Sequence, residues 1–96
     1  MGIGKAERMD ISIEQLSEAQ IEAMAIRSWP VWEKEVSTFD WHYDMTEQCL
    51  LLEGQVTVKI DTGTISFGKG DFVTFSQGLS CEWDIVKSVR KHYNFV

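Results

Sequence analysis

The sequence contains little positive charge, and this restricts the partners it can bind. Nine Lys and Arg residues stand against 15 Asp and Glu residues, which gives a formal net charge of -6. The basic residues cluster at one place, Lys87, Arg90 and Lys91. Nucleic-acid binding depends on clustered cations that neutralise phosphates, so we expect no nucleic-acid partner.

Long hydrophobic runs and cysteines are also scarce. Apolar runs such as Cys49 to Leu52 are far too short to cross a bilayer, and the first ten residues lack the apolar core of a signal peptide. We therefore expect no membrane partner and a cytoplasmic location. The two cysteines, Cys49 and Cys81, form neither a disulfide framework nor a CxxC zinc spacing, which predicts two reduced thiols.

The N-terminal part of the chain has a helical pattern. Ser12 followed by Gln15 has the form of a capping box. The apolar residues that follow recur at spacings of three and four: Leu16, Ala19, Ala23 and Ile26. This pattern predicts one amphipathic helix that ends before Pro30, the single proline of the chain. Because 96 residues suffice for one domain, we divide the chain into a helical lead-in, residues 1–28, and one domain, residues 29–96.

After Pro30 the sequence changes to short β-type runs separated by glycines and Asp-containing turns. Val56, Val58 and Ile60 alternate with polar residues, so one face of that strand should be buried. The pattern predicts a sandwich or barrel with strands near 38–43, 47–53, 55–60, 64–67, 72–75, 80–86 and 91–95.

Two motifs indicate the kind of barrel. EQCLLLEG places Glu47 seven positions before a glycine, as in the first cupin motif, and KGDFVTFSQG supplies Gly70 and Gly78 of the second. Cys81 stands at the histidine of that second motif. The segments WPVWEKEVSTFDW, EQCLLLEG, KGDFVTF and CEWDIVKSVRKHY together resemble single-domain cupins related to the (S)-ureidoglycine aminohydrolase cupin domain and to the ethanolamine-utilisation cupins. The resemblance implies an all-β, jelly-roll-like cupin barrel.

Metal-binding cupins usually present three histidines and a glutamate, but this chain has two histidines in all. The first motif can be aligned in two ways, which place either Asp40 and His42 or Trp41 and Tyr43 at the ligand positions. In the first alignment four side chains form a candidate ligand set for manganese, iron, nickel or zinc. The four are Asp40, His42, Glu47 and Cys81. In the second alignment the pocket is aromatic and has no obvious metal site. Strand alternation allows both alignments, so the sequence leaves this choice open, and for the cofactor we expect none.

The resemblance points Glu47 into the barrel, where period two places Cys49 beside it and Trp83 beside Cys81. Three functions remain open at this point. The first is a module that binds a small metabolite without the full metal site. The second, implied by the resemblance, is a metal-dependent enzyme acting on a small nitrogenous or carboxylate metabolite. The third is an interaction module that forms a homodimer through its edge strands.

Overall fold

The computed structural model describes residues 10–96, which form seven strands, one α-helix and one 3-10 turn. In chain order these elements are β1 (Ile11–Glu14), α1 (Glu18–Ala23), the 3-10 turn (Ile26–Ser28), β2 (Val31–Lys34), β3 (Ser37–His42), β4 (Glu47–Ile60), β5 (Gly63–Gly68), β6 (Phe72–Phe75) and β7 (Ser80–Phe95).

The two longest strands, β4 and β7, organise the fold. They have 14 and 16 residues, and they pair with each other in antiparallel orientation along most of their length. The main order of the sheet is β1-β6-β4-β7-β2, while β3 pairs with β7 and β5 pairs with β4. Since each long strand has different partners at its two ends, the sheet curls around an interior. This arrangement confirms the predicted all-β cupin barrel.

A bulge at Gly54 lets β4 continue where the sequence predicts a break. The register between β4 and β7 shifts around this residue, and its φ is 121°. A Cβ atom at Gly54 would lie 2.9 Å from the backbone of both Ser88 and Val89. The prediction of two strands divided at Gly54 is therefore wrong, because the glycine bends a single strand instead of ending it.

The core consists of two clusters on opposite sides of the sheet. The larger cluster lies inside the barrel and includes Val56, Val58, Phe75 and Trp83, each at most 2% exposed. The smaller cluster consists of Ile26, Leu50 and Phe72, against which Leu16, Ile21, Trp29 and Leu52 pack. The apolar side of α1 and the 3-10 turn therefore covers the outer face of the barrel.

The lead-in differs from the helix predicted for it. Ser12 lies in β1, which pairs with β6, so the predicted capping box at Ser12 and Gln15 is wrong. The capping box that the structure contains joins Ser17 and Gln20, and the helix ends before Pro30 as predicted. Burial of Ile11 in the barrel core outweighs the helical pattern here, because a strand can place that residue inside. The first nine residues of the predicted lead-in lie outside the described residues.

Other strand boundaries agree in part with the sequence prediction. The strand over 72–75 is confirmed, while the predicted strands over 80–86 and 91–95 are one continuous strand. The strand Val31–Lys34 was not predicted; it pairs with the last part of β7. No helix among residues 10–96 is long and apolar enough to span a membrane.

Candidate ligand-binding cavity

A cavity of about 200 Å³ opens into the barrel between β2, β3, β7 and the start of β4. Seven of its nine lining residues are aromatic. The lining consists of Trp32, Phe39, Trp41, Tyr43, Glu47, Trp83, Lys91, Tyr93 and Phe95. Trp41 and Phe95 are about half exposed at its mouth, whereas Trp83 is 2% exposed at its inner end.

Strand alternation brings these aromatic side chains to one face. Phe39 of β3 is the cross-strand partner of Trp83 on β7, and their rings stack at 6.0 Å and 17°. Tyr43 follows β3, where its backbone bonds to Gly78 and Leu79 keep it in line with the strand. Because every second residue of a strand points to the same side, the odd-numbered residues of β3 and its extension face the cavity.

The charged residues of the lining are Glu47 and Lys91, which form a buried ion pair. Lys91 Nζ donates a hydrogen bond to Glu47 Oε2 at 2.6 Å, and the two side chains are 6% and 7% exposed. The ammonium group also lies 4.8 Å from the ring centroid of Trp32 and 4.9 Å from that of Trp83. A carboxylate and two electron-rich ring faces therefore stabilise this cation.

The ion pair leaves hydrogen-bonding capacity unused. Among the described residues no donor forms a hydrogen bond with Glu47 Oε1, and Glu47 Oε2 is the one oxygen that accepts a hydrogen bond from the Lys91 ammonium. An ammonium group has three N–H donors, and a carboxylate oxygen can accept two bonds. Both residues line the cavity, so a molecule inside it could use the remaining donor and acceptor sites.

Tyr43 supplies a further polar group. Its hydroxyl oxygen accepts a hydrogen bond of 3.2 Å from Trp83 Nε1, and its ring stacks on Phe75 at 4.7 Å. Burial, followed by the nearby charge of Glu47, raises the pKa of the Tyr43 phenol well above its ordinary value. The hydroxyl therefore keeps its proton at neutral pH and remains a hydrogen-bond donor.

The structure decides between the two alignments of the first motif. Tyr43 is 2% exposed and lies with Trp41 in the cavity lining, whereas Asp40 and His42 are exposed on the other face of the strand. His42 Nδ1 lies 2.7 Å from the hydroxyl of Ser80. The alignment with Asp40 and His42 inside the barrel is therefore wrong. Trp41 and Tyr43 face the interior, and because successive residues of a strand point to opposite sides, Asp40 and His42 face outward.

The four candidate metal ligands are not brought together. Asp40, His42 and Cys81 border a shallow outer groove, while the Glu47 carboxylate lies in the cavity and binds Lys91. Among residues 10–96 no group of three or more His, Cys, Asp or Glu side chains is placed to hold a metal ion. The described residues do not fit the metal cage of other cupins.

The two cysteines are buried but do not line the cavity. Burial raises the pKa of the Cys49 thiol to about 12, and burial with the nearby charge of Asp40 raises that of Cys81 to about 11. Both thiols are free and protonated at neutral pH. The predicted pocket residues thus separate into Trp41, Tyr43, Glu47 and Trp83 in the lining, and the two cysteines in the core.

Sequence analysis missed five of the nine lining residues, and Lys91 is the charged residue among those five. The sequence placed it in a basic cluster with Lys87 and Arg90, although it is 5% exposed. The signal was present in the alternation of β7, where the residues at 89, 91 and 93 share one face. A lysine between Val89 and Tyr93 on a buried face needs a counter-charge, and the motif had already placed Glu47 inside.

Comparison with known proteins identifies relatives of the chain. Residues 21–93 match the family described as the EutQ-like cupin domain. A DUF861 family protein of Thermotoga maritima is 45% identical, with a TM-score of 0.87, and the match covers 90% of this chain and 99% of that one. No protein with a curated description matches the chain.

Two more distant structures share the fold. A proposed ethanolamine utilization protein Q of Salmonella typhimurium is 24% identical with a TM-score of 0.63, over 94% of this chain and 72% of that one. The EutQ protein of Clostridium difficile is 22% identical with a TM-score of 0.62, over 68% of this chain and 52% of that one. At these identities the likeness shows the fold alone.

Proposed function

Because the chain belongs to the EutQ-like cupin family, we propose that it binds a small molecule in the aromatic cavity of its barrel, without a metal ion. The observation that carries this proposal is the Glu47–Lys91 ion pair, which lies in a wall made otherwise of aromatic rings. Binding sites for small molecules commonly combine an apolar lining with a few polar groups that fix orientation.

Stability alone gives little reason for this pair. Moving two charges out of water costs several kcal/mol per ion, and apolar replacements of a buried ion pair are often neutral or stabilising. The pair faces a cavity instead of being packed on all sides. Its unused hydrogen-bonding sites are therefore positioned to recognise a ligand.

The size and shape of the cavity favour a flat, ring-sized body. An apolar cavity of roughly 150 Å³ is large enough for benzene, and this one has about 200 Å³. Trp41 and Phe95 at the mouth and Phe39 deeper inside offer ring faces and edges for stacking.

The test is a binding screen with small ring-bearing metabolites. Tryptophan fluorescence reports on the cavity directly, because Trp32, Trp41 and Trp83 line it. A ligand at 100 times its Kd should also raise the free energy of unfolding by about 2.7 kcal/mol, which a thermal-shift assay detects.

Trp41→Ala should weaken binding about two- to tenfold, because one aromatic contact contributes roughly 0.5–1.5 kcal/mol. Val86→Ala is the matched control, since Val86 is as exposed as Trp41 and lies outside the cavity lining. If no compound binds, or if Trp41→Ala and Val86→Ala bind every ligand equally well, the cavity is not the binding site.

Two finer predictions remain proposals. The resemblance to the ureidoglycine aminohydrolase cupin domain concerns the subfamily, and it would imply a nitrogenous or carboxylate metabolite. The homodimer rests on the strands β1 and β2 at the ends of the sheet order, which need pairing or cover. Activity on ureidoglycine and sedimentation of the protein test these predictions.

A further inference from the structure

We infer that the cavity selects a ligand whose polar group is electrically neutral and both donates and accepts hydrogen bonds, as a primary carboxamide does. This inference rests on the proposed function and goes further by naming the chemical class of the ligand. It follows from the charge and the hydrogen bonds of the Glu47–Lys91 pair.

The charge balance of the cavity favours a neutral ligand. Among the described lining residues, the positive charge of Lys91 and the negative charge of Glu47 cancel. A bound carboxylate would approach the Glu47 carboxylate, and a bound ammonium would approach the Lys91 ammonium. Either would also add a net charge to a site of low dielectric constant, which is costly when the charge has no partner of its own.

The hydrogen bonds left open specify both a donor and an acceptor on the ligand. Glu47 Oε1 has no hydrogen-bond donor among the described residues, and the Lys91 ammonium has one oxygen acceptor for its three N–H groups. The Tyr43 hydroxyl, which already accepts a bond from Trp83, still has its own proton to donate. A carboxamide matches this set, because its carbonyl oxygen accepts from Lys91 or Tyr43 and its NH₂ group donates to Glu47.

A ligand without polar atoms should bind in the cavity more weakly than a carboxamide. It would cover the open sites of the ion pair and separate them from water, and burying such groups without partners costs about 1–3 kcal/mol each. Discrimination of this kind is strong because the penalty falls on the protein groups that stay unpaired. The cavity should therefore reject a purely apolar ring in favour of the amide.

Four probes that share one ring separate these possibilities. They are benzamide (neutral, donor and acceptor), benzoate (anionic), benzylammonium (cationic) and toluene (without polar atoms). We would measure each affinity at pH 7 by tryptophan fluorescence and by calorimetry. We expect benzamide to bind at least tenfold more tightly than each of the other three.

Variants connect this preference to the ion pair. The double variant Glu47→Leu/Lys91→Met removes both charges and should bind benzamide no better than toluene. The control Lys59→Met/Glu82→Leu removes an exposed pair, whose atoms are 3.5 Å apart, and should retain the preference for benzamide. Circular dichroism of both variants verifies that they are folded.

The outcomes distinguish the inference from the function on which it rests. If a charged probe or toluene binds as tightly as benzamide, the inference is wrong and the cavity is still a binding site. If the double variant keeps the preference for benzamide, the ion pair does not recognise the ligand and the inference is also wrong. If none of the four probes binds, the inference is wrong, and the screen of ring-bearing metabolites decides separately whether the proposed function holds.

Discussion

Removing one partner of the Glu47–Lys91 pair should destabilise the protein far more than removing both. In Lys91→Met the Glu47 carboxylate stays buried without its ammonium, and in Glu47→Leu the ammonium of Lys91 keeps its two tryptophan rings but loses its carboxylate. Each single substitution should cost about 3–5 kcal/mol of unfolding free energy, as is typical when a buried pair is broken.

The double variant Glu47→Leu/Lys91→Met should be about as stable as the wild type or more stable, by up to about 4 kcal/mol. Its two new side chains are apolar, and they lie against aromatic neighbours, so no charge remains buried. The exposed pair of Lys59 and Glu82 provides the contrast: its side chains are 68% and 38% exposed, and Lys59→Met should cost less than about 1 kcal/mol.

The measurement is urea unfolding at pH 7, monitored by tryptophan fluorescence and far-UV circular dichroism, on the wild type, both single variants and the double variant. The four free energies form a double-mutant cycle that isolates the interaction of Glu47 with Lys91. Additive effects, or a loss below about 1 kcal/mol in each single variant, would show that the pair is solvated and does not behave as a buried ion pair.

Three further predictions concern the pH dependence and the backbone. Because burial raises the pKa of the Cys49 and Cys81 thiols to about 12 and about 11, the unfolded chain loses these protons first. Stability should hold below about pH 8.5 and then fall with rising pH, by up to about 1.4 kcal/mol per pH unit for each thiol, as urea unfolding at several pH values would reveal. Gly54→Ala should lower the free energy of unfolding by more than Gly63→Ala. Both glycines have a positive φ, but of the two only Gly54 has backbone atoms 2.9 Å from the added Cβ. Chemical denaturation of both variants measures the difference. Ala25 follows the helix with a left-handed φ of 54°, a conformation that is less costly for glycine than for alanine. Ala25→Gly should therefore raise the free energy of unfolding by about 0.5–1 kcal/mol, and thermal unfolding measures this gain.

Controls and contrary results are available for each of these. Cys49→Ala should flatten the alkaline decline, and a stability that stays constant up to pH 10 would contradict the burial of the thiols. Equal losses of unfolding free energy in Gly54→Ala and Gly63→Ala would mean that the close approach of the β7 backbone to Gly54 does not affect stability. An Ala25→Gly variant less stable than the wild type would mean that the left-handed backbone carries no strain.

The fold could be predicted well from the sequence because residues of the cupin motifs occupy positions that require a particular backbone conformation. Glu47 and Gly54 mark the start and the bulge of β4, and Gly70 and Gly78 have positive φ on either side of β6. Such positions depend on local geometry, which a single sequence reveals. The lead-in was harder to predict, since the role of Ile11 depends on pairing with Phe75, 64 positions away.

The candidate site could be predicted only in part. The motif placed Glu47 inside, and strand alternation linked Trp41 with Tyr43, but alternation alone could not choose between their face and that of Asp40 and His42. That choice depends on which side chains contact Trp83: Phe39 stacks on its ring, and the Tyr43 hydroxyl accepts a hydrogen bond from its Nε1. The pairing with Lys91 was beyond local patterns, because 44 residues separate the partners.

In the proposed function a small ligand lies in the aromatic cavity and its polar group contacts the Glu47–Lys91 pair. A crystal structure of the protein soaked with benzamide shows whether a ligand occupies this position. We expect the benzamide ring to lie between the aromatic walls, with the amide oxygen within hydrogen-bond distance of Lys91 Nζ and the amide nitrogen near Glu47. An empty cavity in crystals saturated with benzamide, or a ligand bound on another surface, would contradict it.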